Sequence, residues 1–281
     1  MKKTFIMGAL AALCISAVSC RNEAGPSLPK ISIFCDHIES AARQEGISFA
    51  EAAARIKDLG YEGADVRVFQ KPEEIKTLDS LGFEHACVIS DINYSKGEQK
   101  ELEDTTLAFM EKNGYDKLLL VTGLMPEGFS QAEKDIERQR IAAFAARLAE
   151  RGYRMMMEDY DHKRSISYNA ERLDSLFAVS DDLGLVFDSG NFIFAGEDAL
   201  EQVDHFRDRI GHVHLKDRKS PDDMSCVPIG TGCIPIREIV GKLVESGYQG
   251  WLTVEQFGSS DMLSDCGVSV RNITNALQGI E

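Results

Sequence analysis

From residue 30 onward the chain repeats one pattern: a helix with a single apolar face, a glycine followed by an aromatic or apolar residue, then a short apolar strand. The glycine steps are Gly60-Tyr61, Gly82-Phe83, Gly114-Tyr115, Gly152-Tyr153, Gly184-Leu185, Gly211-His212 and Gly247-Tyr248. A glycine at such a point adopts the left-handed conformation that closes a helix, and the next residue opens a strand. Gly211 keeps this rhythm least closely. The pattern predicts strands over 31–34, 63–68, 85–89, 117–121, 154–158, 185–188, 212–215 and 251–255. Several are uninterrupted apolar runs, as expected of strands covered on both faces in a parallel sheet.

The segments between them carry helical signals. Ser48 to Glu51 and Ser130 to Glu133 have the form of a capping box. Ile141, Phe144 and Leu148 make one apolar stripe, Leu200, Val203 and Phe206 a second, and Ile236, Ile239, Val240 and Leu243 a third. Strand and helix alternating eight times over 30–281 predict an α/β fold, a single (β/α)8 TIM barrel. An open doubly wound sheet alternates similarly. The barrel is preferred because side chains at four consecutive strand ends converge better in a closed ring.

Residues 1–20 break the pattern and read as a targeting segment: Lys2-Lys3, an apolar run from Phe5 to Val18, and a small-residue exit at Ala17-Val-Ser-Cys20. The run is too short for a membrane-spanning helix of ~20 residues. Its end is similar to the lipobox of bacterial lipoproteins, with Ala17 where that motif prefers Leu, and this resemblance implies lipidation at Cys20. Residues 21–29, polar with Gly25, Pro26 and Pro29, read as a tether. The expected location is the periplasmic side of a Gram-negative envelope, with membrane contact only through the lipid at Cys20.

A formal charge of −15, from 46 acidic and 31 basic residues, argues against a polyanion as the main partner, so no nucleic acid is expected. Setting aside Cys14 and Cys20 leaves Cys35, Cys87, Cys226, Cys233 and Cys266, an odd number without a CxxC pair. Cys35 and Cys87, in apolar runs, read as buried thiols. At most Cys226 and Cys233 pair across a loop.

Chemistry enters at the strand ends. In Ile210-Gly-His-Val-His-Leu-Lys-Asp217 the period of two sends His212 and His214 to one face, with His214 nearer the carboxyl end. Three other strands end in an acid, at Glu158, Asp188 and Glu255. These four residues would point into one barrel mouth, with Glu158 and Glu255 facing each other. Three carboxylates and one imidazole favour a divalent ion, Mn²⁺ foremost, with Mg²⁺, Co²⁺ or Zn²⁺ also fitting. With a carbonyl and hydroxyl of the substrate chelated, one glutamate removes the intervening proton to give an enediolate, and the other returns a proton from the opposite face.

These motifs carry a family likeness. Val186-Phe-Asp-Ser-Gly-Asn191, His212-Val-His-Leu-Lys-Asp217, Pro228-Ile-Gly-Thr-Gly232 and Gly247-Tyr-Gln-Gly-Trp-Leu-Thr-Val-Glu255 stand in register, and residues 30–281 resemble the sugar phosphate isomerase/epimerase family of xylose isomerase-like barrels. The resemblance implies the barrel, a divalent metal at Glu158, Asp188, His214 and Glu255, and acid/base roles for the two glutamates. The chain has Asn191 where relatives often carry histidine, and Asp159-Tyr160 where Asn-His is common. Both departures fall at positions that usually line the substrate pocket.

Other residues are expected around that pocket. Lys216 either reaches a substrate hydroxyl or carboxylate or pairs with Asp217; Arg218 is solvated or part of the mouth. His212 reads as a core histidine before a ligand, with pocket lining as its other role. Asp36, His37, Asp65, Asp91 and Tyr94 are rim candidates, and Gly230-Thr-Gly232 shapes a loop more readily than it cradles an anion. The Glu103-Asp104 and Asp222-Asp223 runs read as solvated surface.

The leading expectation is a metal-dependent sugar isomerase or epimerase acting on a small sugar or oxidised glycoside. The same atoms also suit a 3-keto-glycoside lyase or dehydratase. An endonuclease IV-like phosphodiesterase needs more histidines and a basic floor, and a non-catalytic carbohydrate-binding lipoprotein leaves the glutamate pair unexplained.

Overall fold

The apolar runs become β1 (Lys30–Phe34), β2 (Gly63–Arg67), β3 (Glu84–Asp91), β4 (Lys117–Val121), β5 (Arg154–Glu158), β6 (Leu183–Asp188), β7 (Ile210–Leu215) and, after a hairpin, β10 (Trp251–Val254). In the computed structural model, which describes residues 27–279, these eight strands close into a parallel barrel in the order β1-β10-β7-β6-β5-β4-β3-β2. The TIM barrel expectation holds, and the open sheet is excluded by the β1–β10 pairing. The leader, Cys20 and most of the tether lie outside the described residues.

Nine helices of the described residues cover the barrel: α1 (Cys35–Glu45), α2 (Phe49–Leu59), α3 (Pro72–Ser80), α4 (Lys100–Asn113), α5 (Gln131–Ala149), α6 (Ala170–Phe177), α7 (Ala199–His205), α8 (Ile236–Glu245) and α9 (Met262–Leu277). The predicted stripes face inward: Ile141, Phe144 and Leu148 of α5 and Ile236, Ile239, Val240 and Leu243 of α8 are all buried. Ser130 and Glu133 form a full capping box, whereas at Ser48 only the side-chain half is present, accepting from Glu51 N at 3.1 Å.

Two parts of the architecture depart from the sequence pattern. Helix α1 begins directly after β1, so Asp36 and His37 sit in its first turn rather than in a loop, with Asp36 still at the mouth beside Arg67. Between β7 and α8 the chain adds an antiparallel hairpin, β8 (Asp217–Ser220) with β9 (Asp223–Val227). Gly184 and Gly211 do not close helices. They lie within β6 and β7, where an added Cβ would stand 2.8 Å from Arg154 Nε and 2.8 Å from Met156 Sδ respectively. They are glycines because the barrel strands pack closely there.

The barrel interior is divided by polarity. Phe34, Cys87, Ile89, Leu119, Met156 and Val186 form an apolar cluster. Ser32, Asp65, His212 and Thr253, from β1, β2, β7 and β10, form a buried polar column beside it. Cys35, Cys87 and Cys266 are buried free thiols, and Cys226 and Cys233 are unpaired.

The loop after the hairpin is held by a carboxylate of the chain itself. Asp217 accepts backbone N–H bonds from Gly230 at 2.9 Å, Gly232 at 2.8 Å, Ile234 at 3.1 Å and Arg218 at 2.9 Å. The glycine loop therefore does surround an anion, but an internal one, and Asp217 does not pair with Lys216. A Cβ on Gly232 would lie 2.1 Å from the Arg218 carbonyl oxygen, a backbone atom that cannot swing away. Gly232→Ala is expected to cost about 2 kcal/mol, read as a lowered urea midpoint without a change in m-value. Wild-type stability in that variant would contradict the anchoring role of Asp217.

Candidate metal centre

Strand geometry assembles the four predicted ligands. Glu158 and Asp188 are the last residues of β5 and β6, His214 is the penultimate residue of β7, and Glu255 directly follows β10. Register pairs Asp188 with His214 and His214 with Thr253 across adjacent strands. One donor atom from each of Glu158, Asp188, His214 and Glu255 lies within 4.8 Å of the others, and all four residues are buried.

Three carboxylates buried this close together repel one another strongly, so the site needs positive charge. His214 Nδ1 lies 2.6 Å from Glu158 Oε1 and 3.2 Å from Glu255 Oε2. Lys216 Nζ lies 2.7 Å from both Asp188 Oδ2 and Glu255 Oε1. Burial alone would lower the His214 pKa, but hydrogen bonds to Asp65, Glu158 and Glu255 outweigh it and hold the ring protonated well above its ordinary value. Lys216 is likewise disfavoured by burial and then held charged by Asp188, Glu255 and Glu158. Burial raises Glu255, yet Lys216 and His214 bring it well below the usual carboxylate range. For Asp188 burial prevails over Lys216, and its pKa is pushed up to about 7.

The donor set fits a divalent ion. Three carboxylates and one imidazole are hard to borderline ligands, suited to Mn²⁺ or a similar ion. Asp188 Oδ2 is buried, and its one close partner is the charge of Lys216, whose Nζ lies 2.7 Å away. A second positive charge could share such an oxygen.

The face of His214 away from the cluster is tied down. Its Nε2 lies 3.2 Å from Asp65 Oδ2, the same oxygen that sits 2.8 Å from His212 Nε2. Thr253 donates to Asp65 Oδ1 at 3.1 Å and exchanges a 2.6 Å bond with Ser32. Burial would raise Asp65, but His212 and His214 bring it down to about 2. Carboxylate support of this kind fixes the tautomer that presents Nδ1 to an ion. Phe34 packs edge-on against the ring, with centroids 4.7 Å apart.

The expected pocket residues divide sharply. Asp65 and His212 do not line the mouth; they lie beneath His214, fully buried and bonded to each other. Asp65, Cys87 and His212 also stand within 4.8 Å of one another, but the carboxylate is already taken up by His212, His214 and Thr253. His37 is buried and accepts from Gln256 N at 2.9 Å, and Tyr94 is buried against Glu103, so neither is on the rim. Asn191 is buried beside the cluster, donating to the Asp159 carbonyl at 2.8 Å and accepting from Lys216 and Arg218 at 3.3 and 3.0 Å. Arg218 is buried as well and also donates to the Gly190 carbonyl at 3.0 Å.

Tyr160 lines a cavity of about 160 Å³ over the ligands, together with Glu158, Glu255, Phe34, Arg67 and Phe257. Arg67 and Phe257 are lining residues that sequence reasoning passed over. The signal for Arg67 was its place at the carboxyl end of β2. Asp159, expected at the pocket wall with Tyr160, is instead buried behind Asp188. Its Oδ1 accepts from Asp188 N at 2.9 Å, and burial followed by the charge of Asp188 holds its pKa well above the usual range.

Comparison with known proteins adds three results. The family described as xylose isomerase-like TIM barrel matches residues 53–280. An inosose dehydratase of Lacticaseibacillus casei is 27% identical over 247 residues, spanning 74% of this chain and 82% of the relative. Among solved structures, a probable 3-DHS dehydratase of Bacillus anthracis superposes with a TM-score of 0.74 at 18% identity, covering 88% of this chain and 99% of that one. An L-ribulose 3-epimerase superposes with a TM-score of 0.73 at 18% identity, covering 90% and 95%.

An ion must replace the proton on His214 Nδ1. Because the pKa of this histidine is raised, Mn²⁺ affinity measured by titration is expected to climb through about pH 6.5 and keep climbing above it, by up to ~tenfold per pH unit. A flat profile over that range would contradict a protonated His214. Lys216→Met leaves three buried carboxylates with one cation fewer, and is expected to cost about 3 kcal/mol in metal-free protein, with saturating Mn²⁺ restoring most of it. Equal destabilisation with and without Mn²⁺ would separate Lys216 from the ion site.

Proposed function

Because the chain belongs to the xylose isomerase-like TIM barrel family, we propose that it removes a proton from the carbon beside a carbonyl in a small polyhydroxylated substrate, using a divalent ion. The observation that carries this reading is that Glu158 and Glu255 line one small cavity directly beside the other two candidate ligands. The ion, held by Glu158, Asp188, His214 Nδ1 and Glu255, would supply Lewis-acid polarisation of the substrate's oxygens and so acidify the C–H. Glu158, which has no lysine partner, takes the proton. Tyr160 offers a hydroxyl to the substrate from the cavity wall, and Phe34 and Phe257 limit water around the carbanion.

Two outcomes share this first step, and elimination is the better supported. Return of a proton from the opposite face requires Glu255 to arrive protonated, whereas Lys216 at 2.7 Å keeps it ionised. Elimination needs one acid/base residue: Glu158 accepts the proton, and the oxygen on the next carbon departs and is protonated. The Lacticaseibacillus casei relative, similar over most of this chain, is an inosose dehydratase. Epimerisation is the second reading, favoured by the presence of both glutamates in one cavity.

The leader and Cys20 support an exported, lipid-anchored enzyme on the periplasmic side of the membrane, where free sugars and oxidised glycosides are the available substrates.

The test is product analysis in D₂O with Mn²⁺-loaded protein and a panel of ketoses, keto-inositols and keto-glycosides. Elimination gives a product lighter by water or an alcohol; epimerisation gives equal mass with deuterium at one carbon. Glu158→Gln is expected to lower turnover by roughly 10³-fold in either case. Full activity in that variant would sink both readings, and saturable binding without exchange would point to a carbohydrate-binding protein instead.

A further inference from the structure

The mouth does not end at the catalytic cavity. Arg67, Ile89 and Asp91 line both that cavity and an outer groove of about 330 Å³, whose other walls include Asp36, Phe69 and Gln70. The inner cavity, at about 160 Å³, is below the ~300 Å³ at which ligand pockets usually begin, and the two spaces joined lie within that range. The large hydrophobic side chains exposed among the described residues are Leu28, Leu59, Phe69, Ile136 and Phe257, and the two aromatic ones both stand at this mouth. Phe69 is 77% exposed at the turn after β2, whereas Phe257 is held in place by edge contact with His37, centroids 4.8 Å apart. An uncovered aromatic face beside a polar groove suits the C–H face of a sugar ring.

The groove's charges select the kind of ring. Arg67 Nε donates to Asp36 Oδ2 at 3.0 Å, and its Nη1 reaches Asp91 Oδ2 at 3.5 Å. Glu39 and Lys71 complete the charged lining, and the lysine faces Glu74 at 2.6 Å, so both cations already face carboxylates and have little attraction left for phosphate, while the donors and acceptors suit hydroxyl groups.

Resting on the proton-abstraction reading, we propose that the groove is a second subsite for a neutral glycosyl ring, so that the substrate is a two-ring glycoside. Its carbonyl-bearing ring occupies the inner cavity and its leaving ring lies on Phe69. Glu158 takes the proton from the carbon beside the carbonyl, and that C–H electron pair becomes a C=C bond. The C–O bond to the outer ring breaks, and its electron pair leaves on oxygen, which receives the proton from Glu158. The products are one unsaturated keto sugar and the outer sugar released with a free hydroxyl, with no oxidant, reductant or water consumed.

Binding of glucose and of α- and β-linked glucobioses to the Mn²⁺-loaded protein, followed by saturation-transfer NMR and titration, tests the subsite. At least one glucobiose is expected to bind about tenfold more tightly than glucose, with saturation on both rings. Phe69→Ala should abolish that preference, and Phe69→Trp should keep it; the exposed position makes misfolding of either variant unexpected. Equal affinities for all the sugars, or a preference that survives Phe69→Ala, overturn the subsite and leave proton abstraction standing. Binding of none of these sugars, together with no deuterium exchange on any keto substrate, overturns the proposed function and the subsite with it.

Discussion

The constraint on which the site depends is the burial of three carboxylates around one imidazole. Glu158, Asp188 and Glu255 are each less than a tenth exposed, and carboxylates so placed are costly unless cations face them. Without an ion the chain supplies those cations itself, through protonated His214 and through Lys216. The same two residues mark where external positive charge would act: His214 Nδ1 would exchange a proton for the ion, and Lys216 would keep Asp188 and Glu255 close together. The cluster is thus a stable arrangement poised for a divalent ion.

Everything beneath the cluster serves to hold His214. The ring is set by Asp65 on its far nitrogen and Phe34 at its edge. Asp65 is in turn fixed by His212 and Thr253, and Thr253 by Ser32. This buried column joins β1, β2, β7 and β10, so barrel closure and ligand orientation are one structural event. Above the cluster the walls come from Arg67 at the end of β2 and from Tyr160 and Phe257 in loops. In barrels of this kind the strand ends carry the chemistry and the loops vary with the substrate.

The strands were legible because a parallel barrel strand is a nearly continuous apolar run, and the candidate ligands because each stands at or beside the end of such a run. Glu158, Asp188, His214 and Glu255 could be placed together from strand order alone. Asp65 was visible as an acid on the second strand, but its side chain meets His212 through a contact 147 residues apart in sequence, which no local pattern encodes. Lys216 next to Asp217 looks like a neighbouring ion pair. Strand alternation sends Lys216 into the cluster and leaves Asp217 to gather backbone N–H groups from 230–234. Gly184 and Gly211 share the spacing of helix-closing glycines while answering to close packing against Arg154 and Met156. The hairpin from Asp217 to Val227 was hidden because its strands are short, polar and outside the barrel repeat.

The most direct test of the account is the metal content of the protein, measured by elemental analysis after loading with Mn²⁺ and exhaustive dialysis, for the wild type and His214→Ala. The account predicts about one ion per chain in the wild type and a large loss in the variant, since a single imidazole completes the ligand set. No retained metal in the wild type, or undiminished metal in His214→Ala, would contradict a centre at Glu158, Asp188, His214 and Glu255.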